Sequence, residues 1–188
     1  MRRRIQRLDE TILFSVHHKQ TQKLSITMLA FSLVGNGGLL WTVIGAFLLL
    51  DQQRSRYGVY MLAALIFCAL ANNLLFKSFF ERKRPCDTYQ SIPLLIKRPI
   101  GSSFPSGHAA TSFASATALM FMDVRIGLIA LFVACVIAFS RLYLFVHYPS
   151  DIFMGAVSGT VIALISIQVV RMFFFFLPIS YFAVHVPV

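Results

Sequence analysis

The chain has 188 residues, 57% of them hydrophobic and 19 of them phenylalanine, with a formal net charge of +10. Its apolar residues fall in blocks close to the roughly 20 residues that a helix needs to cross a bilayer, which excludes an ordinary soluble domain and marks an integral membrane protein. The positive charge lies between those blocks, pointing to lipid or phosphate partners and away from nucleic acid.

Residues 3 to 18 set Ile5, Leu8, Ile12, Leu13 and Val16 at helical spacing among charged neighbours, the pattern of an amphipathic helix lying in the membrane interface. No removable signal peptide is expected, because no short apolar core with a cleavage site follows "MRRRIQRLDE". A first apolar block, Leu24 to Leu50, is interrupted by "GNGG" at 35 to 38, which predicts a kink. After the polar turn "DQQRSRY", a second block runs from Tyr57 to Phe80, polar only at Asn72, Asn73 and Lys77. Either asparagine is suited to contact a site or to bond a neighbouring helix. The following loop, "ERKRPCDTYQSIPLLIKRPIGSSF", is long for a connection and therefore expected to be functional or packed on the protein.

A third block, Ser106 to Met122, is rich in Ala, Ser and Thr and reads as a buried helix. "MDVR" turns the chain into a fourth, Ile126 to Phe145, and a fifth runs from Ser150 to about Val170 with Gly155 and Gly159 at small-xxx-small spacing. The tail is apolar but broken by Pro178 and Pro187; its Phe173 to Phe176 run reads as a lipid-facing cluster. The predicted fold is all-α, a bundle of about five transmembrane helices preceded by the interfacial one. Cys68, Cys86 and Cys135 form neither a CxxC pair nor an even set, so no disulfide scaffold or zinc site is expected.

Alternation of spans brings the N-terminal helix, the 81 to 105 loop and the 145 to 150 turn to one side. Three polar clusters converge there: Lys77 with Arg84; Ser106, Gly107 and His108; and Arg141, His147 and Asp151. Taken singly, a lysine at a helix end is an ordinary snorkelling anchor and a membrane-edge histidine a structural residue; jointly they suit phosphate chemistry. Lys77, Arg84 and Arg141 supply cations, two of them able to grip phosphate bidentately. Ser106 and Gly107, after Pro105 at a helix start, can offer backbone N–H groups to an anion. Pro149 sets the first turn of the fifth helix, so that Asp151 can reach back to His147, fix its tautomer and free its other nitrogen to attack. His108 can then supply the proton that a leaving oxygen needs. No carboxylate pair or His/Cys ligand set is present, which disfavours a metal-dependent phosphatase.

"KSFFERKRP" at 77 to 85, "PSGH" at 105 to 108 and "SRLYLFVHYPSD" at 140 to 151 together resemble the three signatures of the type 2 phosphatidic acid phosphatase (PAP2) family, whose site is shared by vanadium haloperoxidases. The resemblance implies a phosphatase without metal or other cofactor, working through a phosphohistidine. It makes His147 the nucleophile, Asp151 its partner and His108 the general acid, with Lys77, Arg84, Ser106, Gly107 and Arg141 holding phosphate. The implied organisation is an interfacial helix over 1–23, a phosphatase domain over 24–172 and an apolar tail over 173–188. Undecaprenyl diphosphate is the first substrate expected by analogy, followed by phosphatidylglycerol phosphate and phosphatidic acid.

Many bacterial members resemble six-span bundles, so one span is missing here and the termini are expected on opposite sides of the membrane. The resemblance implies a bacterial plasma-membrane protein with an extracytoplasmic site, whereas the surplus of Lys and Arg on the site side argues for the cytoplasm. Substrate-binding charge inflates that count, and the outward-facing site is the expectation taken forward. Two other readings compete: a vanadate-dependent peroxidase, disfavoured by the many spans, and a membrane protein that binds or transports a phosphorylated lipid without cleaving it, disfavoured by the full histidine and aspartate set.

Overall fold

The computed structural model describes residues 2–72 and 81–176; the regular structure among them is all helical, with no strand. In chain order the helices are α1 (Arg2–His17), α2 (Gln22–Val34), a 3-10 turn (Asn36–Gly38), α3 (Leu39–Leu50), α4 (Ser55–Leu70), the short α5 (Pro85–Thr88), α6 (Gly107–Met120), α7 (Val124–Tyr143) and α8 (Pro149–Phe176). Lys77 and Asn73 lie outside the described residues, as do the last twelve residues of the apolar tail.

The expected kink is present. Gly37 and Gly38 have φ of 58° and 73°, a region open to glycine at no steric cost, and α2 and α3 meet at 44° there. By length and apolarity α7 and the Pro149–Phe174 stretch of α8 can cross a bilayer, and the bent α2–α3 pair is a third span if it counts as one. The five-span expectation needs α4 and α6 as well, and these are shorter: the 14 residues of α6 rise only about 21 Å against a hydrocarbon layer of roughly 30 Å. Large apolar side chains such as Phe47, Ile129, Phe132, Phe153 and Ile165 point outward, as lipid-facing residues do.

α6 is the axis of the bundle, as its small residues foretell. Ala109, Ala110, Ser112, Ala114, Ser115, Ala116 and Ala118 are buried on it, and Trp41 of α3 donates its indole N–H to Ser112 Oγ at 2.9 Å. α8 crosses α6 at its two glycines. A Cβ on Gly155 would stand 2.5 Å from the Ser106 carbonyl oxygen, and one on Gly159 would overlap the Ala110 backbone. Gly159→Ala is therefore expected to force the two helices apart and to cost about 1–3 kcal/mol. A fall in thermal midpoint in detergent checks this, and an unchanged midpoint would contradict the close crossing.

α1 departs from a plain interfacial helix. Ile5, Leu8 and Ile12 face outward, but Leu13, on another face of the helix, is fully buried against Leu142, Phe145 and Tyr148. The apolar positions read as one stripe are two, and the inner one also carries Asp9, only 3% exposed.

Candidate active site

Three features of local structure aim the polar residues at one place. α7 ends in a Schellman turn: the Val146 N–H bonds the Arg141 carbonyl at 3.2 Å and the Phe145 N–H bonds that of Leu142 at 3.0 Å. The turn needs a left-handed residue, and Phe145 fills that position at φ 61°, where glycine is usual. The steric cost, about 1–2 kcal/mol, is offset by burying its ring against Phe14, His17 and Tyr89. The turn swings the chain from Arg141 in the last turn of α7 to His147 just before α8.

α8 then starts at Pro149, as expected. Asp151, its third residue, reaches back so that Oδ2 accepts the Tyr148 N–H at 2.8 Å, the reciprocal half of a capping box. The same oxygen accepts the Ser103 hydroxyl at 2.5 Å and lies 3.7 Å from His147 Nδ1. That last separation is beyond a hydrogen bond, within the range that catalytic pairs close when substrate arrives.

His147 Nε2 faces Arg84, whose Nη1 is 3.1 Å away. A guanidinium can only donate, so Nε2 is the acceptor and the ring proton sits on Nδ1, toward Asp151. Burial, helped by the Arg84 and Arg141 charges and opposed by Asp151, pulls the His147 pKa down to about 4, leaving a neutral imidazole at pH 7. Arg84 is itself fixed by three carbonyls, those of Gly101, Ser102 and Val146, each at 3.1 Å. It joins the 101–103 segment to the histidine turn.

Of the other residues singled out from the sequence, the described ones, His108, Arg141, Ser106 and Gly107, gather round this pair. His108, in the first turn of α6, interacts with Arg141, His147 and Arg84 and is bonded to the Ser32 backbone, leaving Nε2 buried and unpartnered. The buried Arg141 donates to Ser32 Oγ from Nη1, and its Nε has no partner. Ser106 differs from expectation in one respect. Its backbone N–H is taken by the Asp151 carbonyl at 3.0 Å, which ties α6 to α8, so the group it leaves for an anion is its buried, unpartnered hydroxyl. Gly107 lies beside the side-chain amide of the buried Asn72. The unpartnered buried atoms of Ser106, His108 and Arg141, close to the Arg84 guanidinium, are of the kind that suit an anion with several oxygens.

Sequence reasoning missed Arg82, Asp9, Ser103 and Ser32. Arg82 reads as one loop charge among many, yet it donates 2.6 Å to Asp151 Oδ1 and 2.7 Å to Asp9 Oδ2, with its guanidinium over the Tyr148 ring. Its signal was position: it lies two residues before Arg84, in the segment that leads into α5. Ser32 and Asp9 carry no such mark, since nothing local in α2 or α1 reports a contact over a hundred residues away.

A cavity of about 540 Å³ opens beside the site, between α2 and the 96–99 segment. Leu29, Leu33, Ile96 and Pro99 give it apolar walls, Ser32 and Arg141 also line it, and Lys97 at its edge is exposed.

The model of the PAP2 superfamily matches residues 56–175. An undecaprenyl-diphosphatase of Sulfolobus acidocaldarius is 24% identical over 155 residues, 82% of this chain and 74% of the relative. A lipid A 1-phosphatase of Rhizobium johnstonii is 30% identical over 71% of this chain, which spans 64% of that protein. Among solved structures, Aquifex aeolicus LpxE superposes with a TM-score of 0.73 at 28% identity, covering 86% of this chain and 95% of LpxE.

Proposed function

This chain belongs to the PAP2 superfamily, and from that premise we propose that it removes the terminal phosphate from a membrane lipid phosphate or diphosphate through a phosphohistidine. The single observation that carries the reading is the His147 geometry: a neutral imidazole, proton on Nδ1 toward Asp151, lone pair on Nε2 among cations. Phosphate oxygens replace His147 as partners of Arg84 and take the free Nε of Arg141 and the Ser106 hydroxyl, with Gly107 and Lys77 completing the cradle by resemblance. Nε2 attacks phosphorus as the bond to the lipid oxygen breaks; His108, which takes up a proton as the phosphate anion binds beside it, gives that proton to the leaving oxygen. Asp151 stabilises the Nδ1–H of the charged ring. Water then attacks the phosphohistidine, losing its proton to His108, and inorganic phosphate leaves.

The chemistry of the donor set supports a reaction without metal, since guanidiniums and imidazoles surround the reacting nitrogen and Asp151 is committed to Arg82, Ser103 and Tyr148. The 540 Å³ cavity is the lipid's approach to the site, its apolar walls taking the chain next to the headgroup. Undecaprenyl diphosphate is the first substrate, supported by the Sulfolobus relative. The proposed organisation keeps α1 at the interface and the site on the extracytoplasmic side; Arg82, neutralised by two carboxylates, drops out of the positive charge that argues otherwise.

The test is phosphate release by purified protein in detergent with EDTA, from undecaprenyl diphosphate, phosphatidylglycerol phosphate and phosphatidic acid. Release that survives chelation supports the mechanism, and the fastest lipid ranks the substrates; loss of release on chelation would overturn it. Binding of all three without hydrolysis would make the chain a carrier. For the approach path, Leu33→Trp should fill the cavity and reduce kcat/KM for the long lipids about tenfold or more, leaving a short water-soluble phosphate ester nearly unaffected. Equal losses on both would place the lipid elsewhere.

A further inference from the structure

Arg82 stands between two buried carboxylates that come from opposite ends of the chain. Its Nη1 bonds Asp151 Oδ1 at 2.6 Å and Ser150 Oγ at 2.7 Å; its Nη2 bonds Asp9 Oδ2 at 2.7 Å and Gln6 Oε1 at 3.0 Å. Asp9 in turn holds the start of α8, accepting the Ser150 N–H at 2.9 Å and the Ser150 hydroxyl at 2.6 Å. We infer that Arg82 and Asp9 are positioning residues for the phosphohistidine step, and that through them the interfacial helix α1 sets the charge that Asp151 presents to His147. This inference rests on the reading of His147 as nucleophile.

Arg82 and the His147 ring compete for one carboxylate. Asp151 stabilises the charged His147 ring only with the negative charge not already engaged by Arg82. Alone, Arg82 would engage it fully; Asp9 on its other nitrogen shares the guanidinium and returns charge to Asp151. A fully exposed ion pair could not do this, but Asp9 is 3% and Asp151 0% exposed, and Arg82 between them is 24% exposed, so solvent screens the pairs only in part. Among the described residues, the other charged or titratable groups facing the cluster are Arg84 from the loop, His108 from α6, Arg141 from α7, Tyr148 with its ring against the Arg82 guanidinium and, one bond behind Gln6, Glu10 of α1. None of these hydrogen-bonds Arg82, so Asp9 and Gln6 of α1 are the levers.

The experiment measures the pH dependence of kcat/KM on a lipid phosphate, corrected for the substrate's own titration, in 0.5 M salt to suppress surface charge effects. Arg82→Gln and Gln6→Glu both make the surroundings of Asp151 more negative and should move the acid limb upward by about one pH unit. Asp9→Asn keeps shape and can still cap α8; it should move the limb downward and lower kcat on the order of tenfold with KM nearly unchanged. Arg82→Lys, which keeps the charge but cannot bridge both carboxylates, should fall between wild type and Arg82→Gln. Opposite displacement of the limb is the signature, since misfolding lowers activity without moving it in two directions. Should Asp9→Asn not fold, Gln6→Glu alone decides through its upward shift. Unmoved limbs in variants of an enzyme that still requires His147 would overturn the inference and leave the reading intact. Phosphate release indifferent to His147→Ala would overturn the reading itself.

Discussion

His147→Ala is expected to reduce phosphate release by about four orders of magnitude or more while the protein folds with a nearly unchanged midpoint. The loss is large because the proposed route forms a covalent bond to Nε2, and neither Asp151, bound to Arg82 and Ser103, nor His108 can take over that attack. The fold is expected to survive because the ring anchors no other segment: Nδ1 has no hydrogen-bond partner, and Arg84 retains its bonds to Gly101, Ser102 and Val146 when Nε2 is gone. Brief labelling with a phosphate-labelled lipid, quenched in alkali, gives a second readout. Wild type should yield an acid-labile, base-stable phosphoenzyme that the variant lacks. A labelled phosphoenzyme in His147→Ala would move the nucleophile to another residue, and full activity without label would remove the covalent step.

What the sequence made legible follows from the range of each interaction. The Gly37–Gly38 bend, Pro149 opening α8 and the reach of Asp151 back to His147 are set within a few residues, and each is where the sequence indicates. The Gly155–Gly159 spacing announced a close crossing because small side chains admit a neighbouring backbone whatever the partner, though only the fold names it as α6. The part that was not legible is long-range. Asp9 meets Arg82 and Ser150 across more than seventy residues, and Ser32 meets Arg141 across more than a hundred. Composition gave α1 an interfacial role and Arg82 a place in a charge count, but a charge reveals no partner until the chain is folded. The Ser106 backbone N–H was misread for a related reason: helix-start geometry suggests a free donor, and the tertiary bond to the Asp151 carbonyl takes it.

Arg84→Lys is expected to lower kcat/KM by roughly three orders of magnitude, although it preserves the charge. Arg84 spreads its donors over a planar fork: Nε serves Gly101, Nη2 serves Ser102, and Nη1 serves both Val146 and His147 Nε2. One ammonium at the end of a flexible stem cannot reach all four. Two losses then combine. The phosphate loses a donor beside the attacking nitrogen, and the 101–103 segment loses its clamp, which frees Ser103 from the bond that orients Asp151. Because the first loss grows as charge builds on the phosphate oxygens, kcat should fall together with kcat/KM. Arg141→Lys provides the contrast. Among the described residues Arg141 makes one side-chain bond, to Ser32, and it holds no loop, so a lysine there should cost nearer tenfold, mostly in KM. Kinetics of the two variants on one lipid separate the roles: equal losses would reduce both arginines to point charges, whereas the expected hundredfold difference would identify Arg84 as the residue that binds phosphate and holds the catalytic turn in place.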